Sequence, residues 1–246
     1  MNIIVASSRG GGLKPFLPAG TVVDVNPGGT LNDLRDRVTS LLPPTHRLGQ
    51  RPHVYVIGGV PDISSLVKCR RDHYRESIYM EDTEVTVNRI ERELRLCQAH
   101  IRRQGASPIL CTIPKYNIRI YNNSLLHKRR TSTLKYTDTY DDMQKRLNAT
   151  IDKLNETIIN LNIEANMKTP CLHTSIMRRR GRAGHGYYIY RWNLFADGLH
   201  ANDQLLEDWA RALKVALKKN RENDYSDDEC QSKKRSWRRE KRPRLT

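Results

Sequence analysis

Short apolar runs alternate with longer segments of helical period along most of this sequence, and that alternation limits the fold more than any other feature. Four runs of mainly apolar residues are bounded by Gly, Pro or Ser, at 3–6, 21–25, 53–57 and 109–113. Runs of this kind are typical of strands buried on both faces of a parallel sheet. A fifth, weaker candidate covers 171–177.

Between these runs, apolar residues recur at spacings of three and four, the period of an amphipathic helix. The clearest series are Leu31, Leu34 and Val38; Val87, Ile90, Leu94, Cys97 and Ile101; the apolar positions of 143–161; and those of 205–217. This alternation predicts an α/β domain over 1–217, a three-layer open parallel sheet of about five strands with helices on both faces.

Two stretches lack this alternation of strand-like and helix-like segments. Residues 115–138 are rich in Asn, Thr, Tyr, Lys and Arg, and predict a long loop beyond the carboxyl end of the fourth strand. From 218 onward the apolar period stops, and an acidic cluster precedes a basic run. We expect residues 218–246 to form a disordered tail.

The net charge predicts an anionic partner. The chain of 246 residues carries 43 Lys and Arg against 27 Asp and Glu, or +16. The segment from 218 onward contains 11 basic and 6 acidic residues and accounts for +5. The remaining +11 lies on residues 1–217, the body of the protein. The body itself is therefore expected to face a polyanion.

Several classes of protein are disfavoured by what the sequence lacks. No run approaches the roughly 18 apolar residues of a membrane span, and the N-terminus does not resemble a secretory signal peptide, so we expect an intracellular protein. The five cysteines form no C-x-x-C pair, which argues against a disulfide framework or a zinc ribbon. The histidines show no paired metal-ligand spacing, and we assign no metal or cofactor.

Two polar clusters stand where a ligand site would lie in such a fold. Ser7, Ser8 and Arg9 follow the first strand, at the carboxyl edge where open α/β sheets bind ligands. Asp197 precedes His200 by three residues just before the last helix. A carboxylate at this spacing can hold an imidazole in one tautomer, with its other nitrogen free to act on a hydroxyl. Each cluster alone could equally be a turn.

Taken in this order, the pieces resemble the SGNH (GDSL-like) hydrolase superfamily over about 1–217. Ser8 aligns with the family's serine, although the usual preceding Gly and Asp are missing, and Asp197 with His200 matches its D-x-x-H motif. The segment 25–34, with Gly28, is close to the P-G-A-T-x-x-D-L form of members from retrotransposons. Gly59 keeps its place in the third motif, as does Asp62. The resemblance suggests a mobile element or virus as the origin.

The resemblance implies roles for these residues. Ser8 would be the nucleophile, with Ser7 as the alternative, His200 the general base and Asp197 its orienting carboxylate. Gly28 and Gly59 would supply backbone donors to an oxyanion. The family's oxyanion Asn is Pro61 here, and proline donates from neither side chain nor backbone. Three readings stay open: slow hydrolysis, a replacement donor from Asn122, Asn123 or Arg9, or a site that only binds.

Basic segments form the second functional signal. Arginines are interleaved with tyrosines between 177 and 190, and a second basic group lies in the tail, a pattern suited to phosphate contact and base stacking. The tail also resembles a nuclear-localisation signal. The residues predicted to bind nucleic acid are Arg178, Arg179, Arg180, Arg182, Lys233, Lys234, Arg235, Arg238 and Arg239.

Two hypotheses follow from these signals. The first is an SGNH-hydrolase-like esterase or acetylesterase with affinity for nucleic acid. The second is a catalytically degenerate nucleic-acid-binding protein of a mobile element or virus. Both predict localisation to the nucleus after cytoplasmic synthesis, with nuclear import machinery as a partner.

Overall fold

The computed structural model describes residues 1–42, 51–68, 75–79, 81–129, 139–180 and 187–240; the side chains of 68, 75, 128, 129 and 224–240 lie outside the description. The strands, numbered along the chain, are β1 Asn2–Ser7, β2 Thr21–Asn26, β3 His53–Ile57, β4 Ser65–Lys68, β5 Arg75–Ile78, β6 Ser107–Leu110, β7 Met177–Arg180 and β8 Tyr187–Tyr190. The helices are α1 Leu31–Leu41, α2 Val60–Ile63, α3 Thr83–Arg103, α4 Ile118–Arg129, α5 Tyr140–Glu164 and α6 Asp203–Glu240.

A parallel sheet of order β2-β1-β3-β6 forms the middle layer. Side chains of a strand alternate between the two faces of its sheet. Ile3 and Val5 of β1 therefore pack in one core with α1, α3 and α5, while Ile4 and Ala6 pack in the other with α6. The predicted three-layer α/β fold, with helices on both faces, is confirmed.

The predicted helical series form helices for identifiable reasons. In α1, Thr30 Oγ1 accepts from the Asp33 amide while the Asp33 carboxylate accepts from the Thr30 amide, a complete capping box. Asp82 caps α3 by accepting from the amides of Glu84 and Val85. The periodic apolar residues of both helices face the core, as their spacing predicts.

The edge of the sheet beyond β6 differs from the prediction. The described residues contain no fifth parallel strand there, because 171–177 forms a 3-10 helix, Leu172–Ile176, that leads into β7. Two buried asparagines of α5 provide the hydrogen bonds that another strand would make. Asn162 Oδ1 accepts from the Leu110 amide at 3.0 Å, and its Nδ2 donates to the Leu110 carbonyl at 2.7 Å. Asn155 bonds both backbone groups of Ile113 in the same way.

The prediction of a long loop at 115–138 is wrong for residues 118–129, which form α4. Asn117 accepts from the Ile120 amide through its side chain and from the Tyr121 amide through its carbonyl, which starts the helix. Residues 130–138 lie outside the described residues. The Asn-rich composition suggested a loop, but part of it serves as a helix cap.

The body extends past the predicted boundary at 217. Asn220 is fully buried; its Oδ1 accepts from the Lys168 amide at 2.5 Å, and its Nδ2 donates to Tyr55 Oη at 3.2 Å. Asn223 Nδ2 donates to the Asn166 carbonyl at 3.1 Å. Helix α6 then continues to Glu240 through part of the predicted disordered tail, and residues 241–246 lie outside the description.

We expect a chain ending at 217 to be less stable than one ending at 223, although both lack the basic tail. The shorter chain loses Asn220 and leaves the amide and carbonyl of Lys168 without this side chain as partner. Unpaired buried polar groups cost about 1–3 kcal/mol each. Urea unfolding of both chains measures the difference, and equal midpoints would place the boundary at 217 after all.

Candidate active site

The loops that follow β1, β2 and β3 lie side by side at the carboxyl edge of the sheet. In the sheet register Ser7 is opposite Asn26, and Ala6 is opposite Ile57. The residues that follow these strands, including Ser8, Gly28 and Gly59, therefore meet at this edge. The predicted first, second and third motifs are brought together by the strand order alone.

The two serines after β1 have different surroundings. Ser7 is the last residue of the strand and only 1% exposed, whereas Ser8 is half-buried and begins the 3-10 turn Ser8–Gly10. A Cβ at Gly10 would collide with the Cβ of Ala6, so the turn requires this glycine. Of the two hydroxyls, the one that solvent and a substrate can reach is Ser8.

The Asp197 and His200 side chains form the contact that their spacing predicts. His200 Nδ1 lies 2.7 Å from Asp197 Oδ2, while Asp197 Oδ1 accepts from the backbone amides of His200, at 2.8 Å, and Leu199, at 3.1 Å. The His200 side chain is 36% exposed and that of Asp197 11%. The carboxylate is therefore shielded, and the imidazole reaches the surface.

Hydrogen bonding keeps Asp197 ionised. Burial raises the pKa of this carboxyl, but the bonds from the His200 side chain and the His200 and Leu199 amides outweigh it and hold the pKa below its ordinary value. A carboxylate that stays ionised can stabilise an imidazolium. The pair thus has the electrostatic arrangement that a general base requires.

Helix α4 fixes the turn that carries this pair. The Asn117 amide donates to the Gly198 carbonyl at 3.1 Å. Gly198 has φ +85°, and a Cβ there would lie 2.6 Å from the Tyr121 nitrogen. The Tyr121 ring meets the His200 ring edge-on, with centroids 6.1 Å apart. The segment that the sequence assigned to a loop is thus the support for the histidine.

The loop that carries Ser8 packs against residues on both sides of His200 in the sequence. Among the described residues no hydrogen bond joins Ser8 Oγ to His200. The loop after β1 nonetheless packs against the segment that flanks His200. The Arg9 guanidinium carbon lies 5.7 Å from the Phe195 ring centroid, and a Cβ at Gly12 would lie 2.8 Å from Leu206 Cδ1.

Gly28 and Gly59 have the backbone shape expected of amide donors. Both have positive φ, +75° and +99°, which favours glycine. Within the described part of the chain the structure gives neither amide a hydrogen-bond acceptor. Pro61 lies in the first turn of α2, where its missing amide costs nothing.

Of the three replacement donors considered above, Asn122 is fully engaged elsewhere. Its side chain is buried, bonds the amide and carbonyl of Ser77 and donates to Tyr140 Oη. Asn123 is exposed on α4. Arg9 is buried in the core, where aromatic rings from distant parts of the chain enclose its side chain.

The likeness to known proteins lies in structure rather than sequence. No protein-family model matches the sequence, and no curated protein matches it significantly. A GDSL-like lipase from Bacteroides thetaiotaomicron superposes with a TM-score of 0.54 at 12% identity, over 89% of this chain and 87% of that chain. The C-terminal domain of Drosophila Oskar superposes with a TM-score of 0.53 at 16% identity, over 87% of both chains. The chain has the SGNH-hydrolase fold.

The SGNH-like body also carries a hairpin of β7 and β8. Arg178, Arg179 and Arg180 are exposed on β7, and Tyr187 and Tyr188 of β8 are 59% and 62% exposed. Arg182 lies outside the described residues. The tail positions predicted to bind nucleic acid lie on α6, but their side chains are not described; they are Lys233, Lys234, Arg235, Arg238 and Arg239.

A cluster at the base of this hairpin was missed by sequence reasoning. Lys115 Nζ donates to Asp152 at 2.6 Å and to Tyr190 Oη at 2.7 Å, and Tyr190 stacks on Trp192. Lys115, Asp152 and the Tyr190–Trp192 pair are far apart in the sequence, so no motif could reveal them. Across the described ranges there is no His, Cys, Asp or Glu group arranged to hold a metal ion, and no helix has the length and apolarity to cross a membrane.

Asp62 ties the loop after β3 to the start of α1. Its carboxylate accepts from the Leu31 amide at 3.0 Å. Burial raises the pKa of Asp62 to about 6, and the hydrogen bond from Leu31 opposes this only in part. Because the pKa lies above its value in the unfolded chain, the stabilising contribution is complete below about pH 4 and is lost as the pH rises through about 6.

We expect Asp62→Asn to remove this pH dependence, because the amide oxygen still accepts from Leu31 but cannot ionise. Relative to the variant, the wild-type free energy of unfolding should fall by up to about 3 kcal/mol between pH 4 and pH 7. Urea unfolding across this range measures it. Asp33→Asn, at the same helix end, is the control: hydrogen bonds lower the pKa of Asp33, so its contribution changes only below about pH 4, and the wild-type free energy of unfolding relative to this variant should stay nearly constant between pH 4 and pH 7. Parallel curves for wild type and Asp62→Asn would contradict the assignment.

Proposed function

We propose that this protein hydrolyses carboxylic esters through Ser8. The observation that carries the proposal is the Asp197–His200 pair, whose imidazole is 36% exposed and lies between two segments, at Phe195 and Leu206, against which the loop that holds Ser8 packs. A nucleophile, a base and a carboxylate that orients the base are the parts that acyl transfer requires. The SGNH-hydrolase fold supports this assignment.

The reaction follows from the geometry of the pair. With Nδ1–H donated to Asp197, the other ring nitrogen of His200 is a free base that takes the proton of Ser8 as Oγ attacks the ester carbonyl carbon. The tetrahedral intermediate collapses, and the alcohol leaves with that proton. Water then attacks the acyl-enzyme with His200 again as the base, which releases the carboxylic acid and restores Ser8.

The developing oxyanion has fewer donors than in the family. The amides of Gly28 and Gly59, which have no acceptor among the described residues, would donate to it, whereas Pro61 cannot. Loss of one such donor costs on the order of 10²–10³ in turnover, so we expect a slow esterase.

We expect a fluorophosphonate probe to label Ser8, because attack of Oγ on phosphorus with loss of fluoride needs the same base but no particular acyl group. Ser8→Ala should abolish both labelling and hydrolysis of p-nitrophenyl acetate, and His200→Gln should reduce both at least 100-fold. Peptide mass spectrometry locates the adduct. Ser7→Ala is the matched control and should retain activity. Equal rates for wild type and Ser8→Ala would reject the esterase.

Nucleic-acid binding by the β7–β8 hairpin is a second candidate function. Arg179 is paired with Tyr188 and Arg180 with Tyr187 across the hairpin. Among the described residues no carboxylate forms a salt bridge with these exposed arginines. Unpaired arginines next to exposed aromatic rings suit phosphate contact and base stacking, which favours a single strand. The role of the tail as a nucleic-acid arm and nuclear-localisation signal stays a prediction.

We expect Arg178→Gln combined with Arg180→Gln to weaken binding of a fluorescent single-stranded RNA or DNA oligonucleotide at least fivefold and to reduce the salt dependence of the affinity by one to two ions, because each lost phosphate contact releases one counterion fewer. Fluorescence anisotropy from 50 to 200 mM salt measures both. The control is Arg102→Gln with Arg103→Gln, exposed at the end of α3. Equal losses of affinity in both double variants would show that binding depends on the net charge alone and not on the hairpin, which would contradict the proposed site.

A further inference from the structure

Arg9 is a buried cation next to the proposed nucleophile. Its side chain is 3% exposed although it directly follows the half-buried Ser8. Its guanidinium carbon lies 5.7 Å from the ring centroid of each of Tyr116, Phe195 and Trp209. Cation–π contacts with three rings hold the charge in one place and keep water away from it.

The guanidinium has little hydrogen bonding for a buried charge. Nη1 donates to the Pro114 carbonyl at 2.8 Å, whereas Nε and Nη2 are buried without a hydrogen-bond partner among the described residues. No described carboxylate lies within salt-bridge distance of it. A buried charge without a paired carboxylate is costly, and an apolar side chain of similar volume would usually serve a core better.

Arg9 stays positively charged at neutral pH, and its charge interacts with Asp197. Burial lowers the pKa of Arg9 to about 10, while Tyr116 and Asp197 favour its charged form. A pKa near 10 leaves the group cationic at pH 7. In a water-free core the field of such a charge is weakly screened. Arg9 directly follows Ser8 in the chain and its charge interacts with Asp197, and in the proposed esterase negative charge develops at the ester bound to Ser8.

We propose that Arg9 is a positioning residue whose buried positive charge stabilises the oxyanion formed at Ser8, and so compensates in part for the donor that Pro61 cannot supply. The inference rests on the proposed esterase function. Arg9 does not touch the reacting atoms; it acts through the field that it sets up across the loop after β1. This also explains why the fold retains an incompletely paired charge in its core.

The test separates charge from packing with Arg9→Met, which fills the cage without charge, and Arg9→Lys, which keeps the charge. We expect Arg9→Met to lower kcat for p-nitrophenyl acetate tenfold to a hundredfold with KM within threefold, and to slow fluorophosphonate labelling of Ser8 in parallel. Its urea midpoint should equal or exceed that of wild type. Arg9→Lys should recover much of kcat.

The matched control is Arg191→Met, which removes a partly buried arginine bonded to Asp208 and the Ser175 carbonyl on the same face of the sheet. It should lose stability but keep kcat. If Arg9→Met does not fold, Arg9→Lys is compared with Arg9→Gln, and the lysine variant should retain at least tenfold higher kcat.

Each other outcome overturns the inference. Ser8-dependent activity that is unchanged in Arg9→Met would reject the role of Arg9 and leave the esterase standing. If the kcat of Arg9→Met falls only in proportion to its loss of stability, and Arg191→Met shows the same proportion, the role of Arg9 is structural. If Ser8→Ala is as active as wild type, the esterase proposal fails, and the inference fails with it.

Discussion

Two asparagines of α5 determine how the chain leaves the sheet, and much of the candidate site depends on them. Backbone groups buried at the edge of β6 must be hydrogen-bonded, and the described residues place no strand there. Asn162 bonds both backbone groups of Leu110, and Asn155 bonds both of Ile113. The segment that follows is therefore held against α5 as it runs along the carboxyl edge of the sheet.

That segment, residues 114–117, contacts each part of the candidate site. The Pro114 carbonyl accepts from Arg9, and Lys115 anchors Tyr190 at the base of the hairpin. The Tyr116 ring lies against Arg9, and the Asn117 amide bonds the turn that carries His200. A disturbance at the edge of β6 would therefore reach the Ser8 loop, the histidine and the basic hairpin together.

The candidate site combines an oriented carboxylate–imidazole pair with an unusual distribution of charge. The shielded Asp197 carboxylate is bonded to the exposed His200 ring, while Pro61 has no amide to donate. Arg9 is a buried cation directly after Ser8, and Arg178, Arg179 and Arg180 are exposed on the β7–β8 hairpin. These four residues contribute to the +16 of the chain.

The sequence by itself determined the layered fold, the first three strands, and the pairing of Asp197 with His200, because these depend on local period and on a spacing of three residues. The resemblance to the SGNH hydrolases implied in addition that Ser8, Gly28 and Gly59 serve one site. Only the tertiary structure decided that Ser7 is buried and Ser8 accessible, that 118–129 is a helix, and that Asn220 belongs to the body. It alone placed Arg9 among Tyr116, Phe195 and Trp209, because a cage of residues about 100 to 200 positions away leaves no periodic signal in the chain.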